Sequence, residues 1–420
     1  PIMKFVDRGT VNETLVTIIR GNVREPDQLV GDVYALATCN EIGHRRLVEM
    51  MVEFRLADLA GISDFILTNS RQATLDKIAA LPRGEAEGHM RIDGYSRPID
   101  LKVKISIEPD GVLCDWAGTS GVDKNGINVP LVYTKAYTCY ALKCAIAPEI
   151  PNNAASLEPF RITAPEHTIV NAVWPAPVAL RHIIGHMVPD TIYDALDKLL
   201  PGLVPAEGAG SLCNFQVSLR PRSDGPWPAD PVRAEVLTFN SGGSGARPAL
   251  DGMNATAFPS GVMTMPVEAT EQVGPVIVWR KELRPDSGGA GQHRGGLGQH
   301  MEVGAWEGYE FDIQAMFDRV HHPARGRRGG GGGAPTTIAL DDGTAMKGKG
   351  KQFVPHGRKV VMAFPGGAGY GAPGEREQGS VERDLALGYI SAEAARAEYG
   401  LSEGKVADVL AASRRGELPR

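Results

Sequence analysis

Apolar side chains in the first eighty residues recur at the spacing of an α-helix. Asp27 is a candidate N-cap, and residues 28–59 run on without proline. Ser63 is positioned to cap a second helix, which Pro82 would end. The pattern predicts a helical hairpin within residues 1–88, which we interpret as scaffold or subunit contact rather than as an active site.

From about residue 89 the hydrophobic period changes to two. The segment RPIDLKVKISIEPDGVLCDWAGTS alternates polar and apolar side chains around a Pro-Asp-Gly turn, which predicts a β-hairpin. Helices are predicted at 134–147 and 190–200, each followed by a proline. Residues 89–204 are therefore predicted to form an α+β region.

Short apolar segments separated by glycine and proline turns dominate the chain beyond residue 205. This spacing predicts sheets or a barrel-like sandwich over 205–378, followed by a helical tail over 379–420. The five glycines 329–333 are predicted to form a flexible loop tip. The predicted fold class is α+β, with an N-terminal helical hairpin, a mixed or antiparallel β-rich region with glycine-rich loops, and a C-terminal helical tail. The predicted strands lie near 233–239, 275–283, 299–305, 311–317, 336–340 and 359–364.

The composition is that of a globular protein, because 42% of the 420 residues are hydrophobic and 22% are charged. A net charge of -6 gives no basis for a nucleic-acid or anionic-membrane partner. The sequence shows neither an apolar run of ~20 residues nor a signal peptide. Five cysteines without a CxxC pair indicate free thiols in a reducing, cytoplasmic location, and we expect Cys139 and Cys144 to be buried.

The densest chemical signal is the segment FNSGGSGARPALDGMNA. Its glycines allow backbone N–H groups to form an anion-binding nest, and Arg247 adds a guanidinium suited to carboxylate or phosphate. A tight connection between strands explains the same residues. The segment comes near the nucleophile elbow GxSxG but has Ala246 at the last position, which argues against a serine hydrolase. The candidate substrate or phosphate contacts are Ser241, Gly242, Gly243, Arg247 and Asp251.

A second glycine-rich segment, RPDSGGAGQHRGGLG, combines an acid, a hydroxyl group and arginines. A polar ligand loop and a set of tight turns held by Asp286 and Ser287 explain it equally well. Asp286, Ser287 and Arg294 are therefore a second set of candidate contacts. A third segment, FPGGAGYGAPGE, mimics a dinucleotide fingerprint but leads into proline instead of a helix.

His182 and His186 in RHIIGHMVPD would share one helix face and are weak candidates for a metal site. No glutamate follows His182 as the HExxH pattern requires, and no third ligand lies nearby in sequence, so a structural pair is the favoured interpretation. His321 and His322, which follow the segment FDIQAMFDRV, give a weaker signal still. Catalytic residues stay unassigned, and no P-loop motif GxxxxGKS/T occurs, so any ATP is held elsewhere.

Several motifs occur in an order typical of one family. GHRRLVEMMVEF, DWAGTS, NVPLVYTKAYTCYALKCAIAPEIPNN, FNSGGSGARPALDG, ELRPDSGGAGQHRGGLG, FDRVHHPARG and FPGGAGYGAP follow one another along the chain. The sequence from about residue 1 to residue 400 thereby resembles the hydantoinase B/oxoprolinase family, which also includes subunits of acetone and acetophenone carboxylases.

The resemblance implies the B-type subunit of an ATP-dependent cyclic-amide hydrolase, with hydantoin, N-methylhydantoin or 5-oxoproline-like small-molecule substrates. It also implies a hetero-oligomer with a hydantoinase A-type subunit, which binds ATP at an actin-like site and phosphorylates an amide or enol oxygen. Three alternatives stay open: a subunit of an ATP-dependent ketone carboxylase, a non-catalytic structural subunit, and a self-contained metallohydrolase that uses His182 and His186.

Members of that family usually carry a region ahead of the PIMKF-like segment, with an asparagine-aspartate-proline motif and a His/Asp cluster associated with metal binding. Nothing in this sequence matches that region, so we expect either a fragment or a separate polypeptide that supplies it. The resemblance thus places the ligands of a divalent metal outside these residues.

Overall fold

A computed structural model of the protein describes residues 2–23, 26–210, 212–225, 228 and 231–417. The chain falls into two compact units, 1–69 and 70–420. The predicted α+β class, with helices first, sheets in the middle and helices last, is confirmed. The four predicted regions divide the chain more finely than these two units and stay predictions.

The first unit consists mainly of helices with little core of their own. Its elements are β1 (Val6–Asp7), β2 (Thr10–Val11), α1 (Glu13–Asn22), α2 (Pro26–Glu53) and the start of α3 (Ala60–Ala79). The side chain of Asn12 caps α1 by accepting the N–H of Leu15 at 3.1 Å. Val30 is the buried side chain of α2, whereas Leu36 and Val52 are 67% and 74% exposed. The predicted long helices are confirmed.

The starts of these two long helices differ from the predicted caps. Because α2 begins at Pro26, Asp27 lies inside its first turn. Because α3 begins at Ala60, Ser63 lies inside the helix as well, and the carboxylate of Asp58 accepts the N–H of Ala60 at 2.9 Å. The predicted N-caps Asp27 and Ser63 are therefore wrong, since both helices begin earlier than the apolar period indicates.

The second unit begins with a sheet covered by helices. Its strands, in spatial order, are β3 (Gly84–Ile92), β4 (Ile99–Glu108), β5 (Gly111–Asp115) and β6 (Phe160–Thr163). Helices α4 (Leu131–Ile146) and α5 (Ala154–Leu157) lie between β5 and β6 in the chain, and α6 (His182–Gly185) and α7 (Val188–Leu199) follow β6. Alternate residues of β4 from Ile99 to Ile105 are buried because α7 packs on β3 and β4. The predicted hairpin around 109–111 is confirmed, since β4 and β5 pair antiparallel there.

Two open antiparallel sheets then form a sandwich. Its strands are β7 (Asn214–Pro221), β8 (Ala234–Thr238), β9 (Val276–Leu283), β10 (Gln299–Ala305), β11 (Tyr309–Met316), β12 (Thr337–Leu340), β13 (Lys349–Val354) and β14 (Val360–Ala363). The order is β13-β11-β7-β8 in one sheet and β12-β14-β10-β9 in the other, and α8 (Val267–Gln272) precedes β9. Side chains such as Ile313 and Met362 fill the space between the sheets. All six predicted strands are present, while β7 and the polar edge strand β13 are additional.

The C-terminal tail folds as a small helical cluster. After a 3₁₀ turn (Pro373–Glu375) it contains α9 (Gln378–Ala386), α10 (Ala392–Ala397) and α11 (Glu403–Arg414). Ser391 and Ser402 cap the last two helices through their side-chain oxygens. Leu385, Val406 and their neighbours form a separate apolar core. The predicted helical tail and its serine cap are confirmed.

Five glycine-rich segments pack directly against one another, and we call them the glycine bundle: residues 205–210, 242–246, 287–298, 324–334 and 365–371. Neighbouring segments exchange backbone hydrogen bonds, for example from the Gly367 N–H to the Gly296 carbonyl at 2.9 Å. A Cβ on Gly367 would lie 1.9 Å from the Ser244 oxygen, and its φ lies outside the left-handed region. Close approach of backbones, not unusual backbone angles, therefore requires glycine there.

The glycine run 329–333 belongs to this bundle. The Gly331 N–H donates to the Ala290 carbonyl at 2.6 Å, and the Gly333 N–H donates to the Ala324 carbonyl at 3.0 Å. The prediction of a flexible loop tip is wrong, because Gly330 and Gly333 pack directly against the backbone of residues 366–370, although Gly329 and Gly332 are exposed.

The cysteines match the sequence-based prediction in chemistry but not in burial. All five are free thiols, yet Cys144 is exposed and Cys139 is half-buried. Cys144 lies off the face of α4 that Thr138 and Leu142 bury, so the expectation that Cys144 is buried is wrong. Among the described helices, none combines the length and apolarity needed to cross a bilayer.

Candidate functional site

The end of β3 and the loop 317–326 (FDRVHHPARG) are locked together by one carboxylate. Asp93 accepts the backbone N–H of Val320 at 2.7 Å and those of the next two residues at 3.1 Å each. In the other direction, Asp318 accepts the N–H of Asp93 at 3.1 Å. These bonds fix a histidine-bearing loop against a rigid strand, which is how proteins hold functional side chains in place.

Asp93 also orients an imidazole. Its Oδ1 lies 2.7 Å from Nδ1 of His322. Burial has the largest single effect on the pKa of Asp93 and raises it, but the hydrogen bonds from His322, Val320 and His321 and the charge of Lys349 together outweigh burial and leave that pKa below its ordinary value. The ionised carboxylate places the proton of His322 on Nδ1, so Nε2 is left as the base. This carboxylate–imidazole pair has the arrangement of a general acid–base group with its orienting partner.

A buried charge cluster lies beneath the loop. Arg319, 1% exposed, donates to Glu207 at 3.1 Å and to Asp190 at 3.4 Å. It also donates to the carbonyls of Gly208 at 2.9 Å, Ala209 at 3.3 Å and His322 at 3.5 Å. Burial raises the pKa of Asp190 to about 7, against the opposing effect of Arg319. The guanidinium thus serves to hold the base of the loop.

These parts enclose a cavity of 510 Å³ that we call the histidine cleft. Its titratable lining is three arginines, three histidines and one glutamate, namely His89, Arg91, Glu207, Arg319, His321, His322 and Arg325. A smaller cavity of 370 Å³ adjoins it across His321 and is bordered by Asp93, Tyr95 and Lys349. Convergent polar groups in a concave site are the usual mark of a small-molecule site.

The glycine segment chosen from the sequence uses its polar backbone internally. The N–H groups of Gly243, Ser244 and Ala246 donate to the carbonyls of Pro365, Met253 and Ala368. The Ser241 carbonyl accepts from the side chain of Gln299 at 2.7 Å. A Cβ on Gly242 would lie 2.4 Å from the Pro365 oxygen. These three N–H groups donate to other backbone segments, so none of the three is available to bind an anion.

The charged candidates of the two glycine segments lie close together, and Asp251 and Arg294 each form an ion pair with a residue nearer the C-terminus. Asp251 accepts the backbone N–H of Arg294 at 2.7 Å and pairs with Arg376 at 2.7 Å. Arg294 and Arg376 both reach the buried Asp384, at 3.0 and 2.7 Å. Arg247 is exposed and donates to the Asp251 carbonyl at 2.9 Å. This network ties the tail to the glycine bundle, and the predicted ligand contacts stay predictions.

Asp286 and Ser287 act in the backbone turn around them. Asp286 has a φ of 57° and accepts the N–H of Ser391 at 2.7 Å. The Ser287 hydroxyl donates to the Arg284 carbonyl at 2.6 Å and accepts the N–H of Gly298 at 2.9 Å. These contacts agree with the tight-turn interpretation of the segment.

His182 and His186 lie together, with ring centroids 5.8 Å apart. Nε2 of His182 lies 3.1 Å from the Asn214 amide, while Nδ1 of His186 is buried without a partner in the described structure. Burial lowers the pKa of His182, and burial, aided by His182, lowers that of His186 to about 3. Within the described residues, no three His, Cys, Asp or Glu side chains are grouped so as to hold a metal ion.

The histidine cleft was only partly visible in the sequence. His321 and His322 drew a weak signal as a histidine pair after a strand, and Asp93, His89 and Arg91 drew none. His89, Arg91 and Asp93 occupy alternate positions at the end of β3, which is the one local signal that could have pointed to them. Their partner loop lies 229 residues further on, so only the fold joins them.

An α+β fold with a sandwich, a glycine bundle and a polar cleft defines the class of this protein, and comparison with known proteins defines its family. The family described as Hydantoinase B/oxoprolinase matches residues 1–373. The chain belongs to that family.

Among curated relatives, the candidate B-type subunit of a D-/L-hydantoinase from Pseudomonas sp. strain NS671 is 29% identical over 95% of this chain and 69% of the relative. The ATP-dependent caprolactamase of Pseudomonas jessenii has the same fold, with a TM-score of 0.80 at 21% identity over 98% of this chain and 74% of that chain. A nucleotide-free acetone carboxylase structure gives a TM-score of 0.79 at 17% identity. The match covers 99% of this chain but only 63% of the acetone carboxylase chain.

Proposed function

We propose that this chain is the B-type subunit of an ATP-dependent hydrolase that opens cyclic amides of the hydantoin or 5-oxoproline type. Family membership and the relative from Pseudomonas sp. strain NS671 support this assignment. The observation that carries it is the Asp93–His322 pair, held at 2.7 Å beside a 510 Å³ cleft. A hydrolase of unreactive amides needs a positioned base for water, and this pair supplies one.

The proposed chemistry begins with an amide whose oxygen carries a phosphoryl group transferred from ATP by an A-type partner. Nε2 of His322 takes a proton from water, whose oxygen bonds to the ring carbon. The ring C–N bond then breaks as the new hydroxyl becomes the carbonyl of an acyl phosphate, and the leaving nitrogen takes up both the imidazolium proton and the proton of that hydroxyl. The remaining acyl phosphate is hydrolysed by a second water to carboxylate and inorganic phosphate. Phosphorylation assists because it makes the amide carbon more electrophilic.

In this proposal the partner binds ATP, and the present sequence contributes the second site. The absence of a GxxxxGKS/T motif from the sequence agrees with that division. A divalent metal stays a prediction, and no step above passes through one. The likeness to acetone carboxylase concerns the fold, so ketone carboxylation is an outcome for the test rather than a second proposal.

The test starts by purifying the native protein through a tag on this chain and identifying what accompanies it. We expect an actin-like ATPase subunit, and ATP hydrolysis by the complex that depends on hydantoin, N-methylhydantoin or 5-oxoproline. ATP turnover that instead requires bicarbonate and a ketone would replace the hydrolase with a carboxylase. Cyclic-amide opening by the chain alone, without ATP, would overturn the proposal in favour of a self-contained hydrolase.

A further inference from the structure

We propose that the histidine cleft binds the phosphoryl group of the intermediate and that Arg91 is the residue that engages it. The inference rests on the proposed function for the source of that group. Its physical basis is the charge and the hydrogen-bonding state of the side chains that line the cleft.

Three arginines and one glutamate line the cleft, which gives these side chains a net charge of +2 with the imidazoles neutral. The carboxylates of Asp93 and Asp100, which contact lining histidines, counter that charge from just outside the lining. The case for an anion therefore depends on arginine donors that have no other acceptor, because charge-assisted hydrogen bonds to such donors are the strong ones.

The three arginines differ in the donors they have left. A guanidinium carries five N–H donors. Those of Arg319 reach five acceptors: Glu207, Asp190 and the carbonyls of Gly208, Ala209 and His322. Arg319 therefore contributes charge to the cleft but no free hydrogen bond.

Arg325 is engaged in part. Its Nε donates to Glu207 at 2.6 Å, and its Nη2 donates to the His89 carbonyl at 2.5 Å. These bonds fasten the loop to β3 and hold the guanidinium in one place. They leave Nη1 as its open nitrogen.

Arg91 makes one loose ion pair among the described residues. Its Nε lies 3.6 Å from the carboxylate of Asp100, within ion-pair range but beyond hydrogen-bonding distance, so its two Nη groups have no hydrogen-bond acceptor in the described part of the chain. Asp100 lies closer to His89, at 3.0 Å. The two Nη groups of Arg91 are thus open for the parallel hydrogen bonds that a phosphoryl group accepts, while its Nε stays beside Asp100.

The position of Arg91 suits the chemistry. It lies two residues before Asp93, which directly follows β3, and this spacing puts both side chains on the same face of extended chain, about 7 Å apart along the strand. Asp93 holds His322, so the anion site and the base are attached to one rigid strand. Arg91 and His322 line the same cavity, so a phosphoryl group on Arg91 would lie in the cleft that the imidazole borders.

The experiment measures binding of inorganic phosphate to the purified native protein by calorimetry, without ATP or substrate, at constant ionic strength. We expect Arg91→Gln to weaken phosphate binding at least tenfold, about 1.4 kcal/mol, and Arg91→Lys to weaken it less. Arg97→Gln is the matched control, because Arg97 is exposed on the same hairpin but does not line the cleft. It should change the affinity less than twofold.

Equal affinity in the wild type and Arg91→Gln would overturn the assignment, as would acetate binding as tightly as phosphate, which would indicate a carboxylate site. Since phosphate binding is measured without turnover, failure here leaves the hydrolase proposal standing. Conversely, Arg91-dependent phosphate binding in a complex that opens no cyclic amide would sustain the site and reject the hydrolase.

Discussion

In the glycine bundle, distant segments meet through backbone hydrogen bonds, whereas at the histidine cleft they meet through charged side chains. The bundle leaves little room and few donors, as the Gly243, Ser244 and Ala246 N–H groups show. The cleft has a 510 Å³ cavity and an arginine whose Nη groups have no hydrogen-bond acceptor in the described structure. Glycine-rich motifs can thus indicate close backbone packing, whereas a ligand site needs polar groups that are not already hydrogen-bonded within the protein.

The largest effect should come from replacing the base. We expect His322→Gln to lower turnover of the complex by about 10² to 10⁴-fold, because glutamine cannot take the proton from water. Since His322 is partly exposed, the free energy of unfolding should change little. His293→Gln, in the glycine bundle, is the control and should retain turnover. Comparable losses in both variants would remove the contrast between the two regions.

The next effect tests the packing of the glycine bundle. Gly367→Ala would place a Cβ 1.9 Å from a backbone oxygen, and we expect it to reduce the free energy of unfolding by roughly 3 kcal/mol or more. Gly404→Ala, in α11 with nothing within 4 Å of its added Cβ, should stabilise by up to about 1 kcal/mol. Denaturant unfolding of both variants gives the comparison. An unchanged denaturant midpoint for Gly367→Ala would mean that the neighbouring backbone segments can move apart to accommodate the added methyl group.

The third effect concerns His186, a buried histidine outside the histidine cleft. The folded state holds the pKa of His186 at about 3, against 6.5 for a free imidazole, so the unfolded chain binds the proton first as pH falls. The contribution of the neutral, buried His186 to the free energy of unfolding is fully present above pH 6.5. Below that pH the free energy of unfolding falls by up to about 1.4 kcal/mol per pH unit. His186→Phe should show a correspondingly shallower loss between pH 6.5 and about 4. Parallel slopes in both proteins would contradict the burial argument.

The smallest effect is expected at the exposed arginine of the glycine segment. Arg247→Ala removes hydrogen bonds to the Asp251 carbonyl on the protein surface, so stability should change by no more than about 0.5 kcal/mol. We expect turnover within twofold of the wild type, measured with saturating ATP and cyclic amide. A loss of activity without unfolding would move the ligand site to this segment, as the sequence-based hypothesis holds.

The sequence predicted the parts of the fold that local pattern controls. The proline-free run 28–59, the turn at 109–111 and the cap Ser391 all show their signal within a few residues, so the helices, the hairpin and the tail were predicted correctly. The exact starts of the helices were not predicted correctly, since the side chain of Asp58, not that of Ser63, accepts a backbone N–H at the start of α3. The motif order also indicated the family, because each motif is readable without knowing its neighbours in space.

The chemistry of the site followed no such local rule. Ser287 and Asp251 have the composition of ligand contacts, but hydrogen bonds to Gly298 and Arg294 already engage them. Whether a glycine in these segments serves ligand binding or close packing depends on which backbone segment lies against it. That is decided by the tertiary packing and not by the spacing of residues in the sequence.

The sequence by itself determined the α+β class, the positions of most helices and strands, and membership of the family, because periodicity, caps and motifs act over short distances. Only the tertiary structure decided that Asp93 orients His322 across 229 positions. It likewise decided that Arg91 makes only one loose ion pair, whereas all five donors of Arg319 are hydrogen-bonded. Whether a polar group is available for chemistry depends on its partners in space, and folding alone assigns those partners.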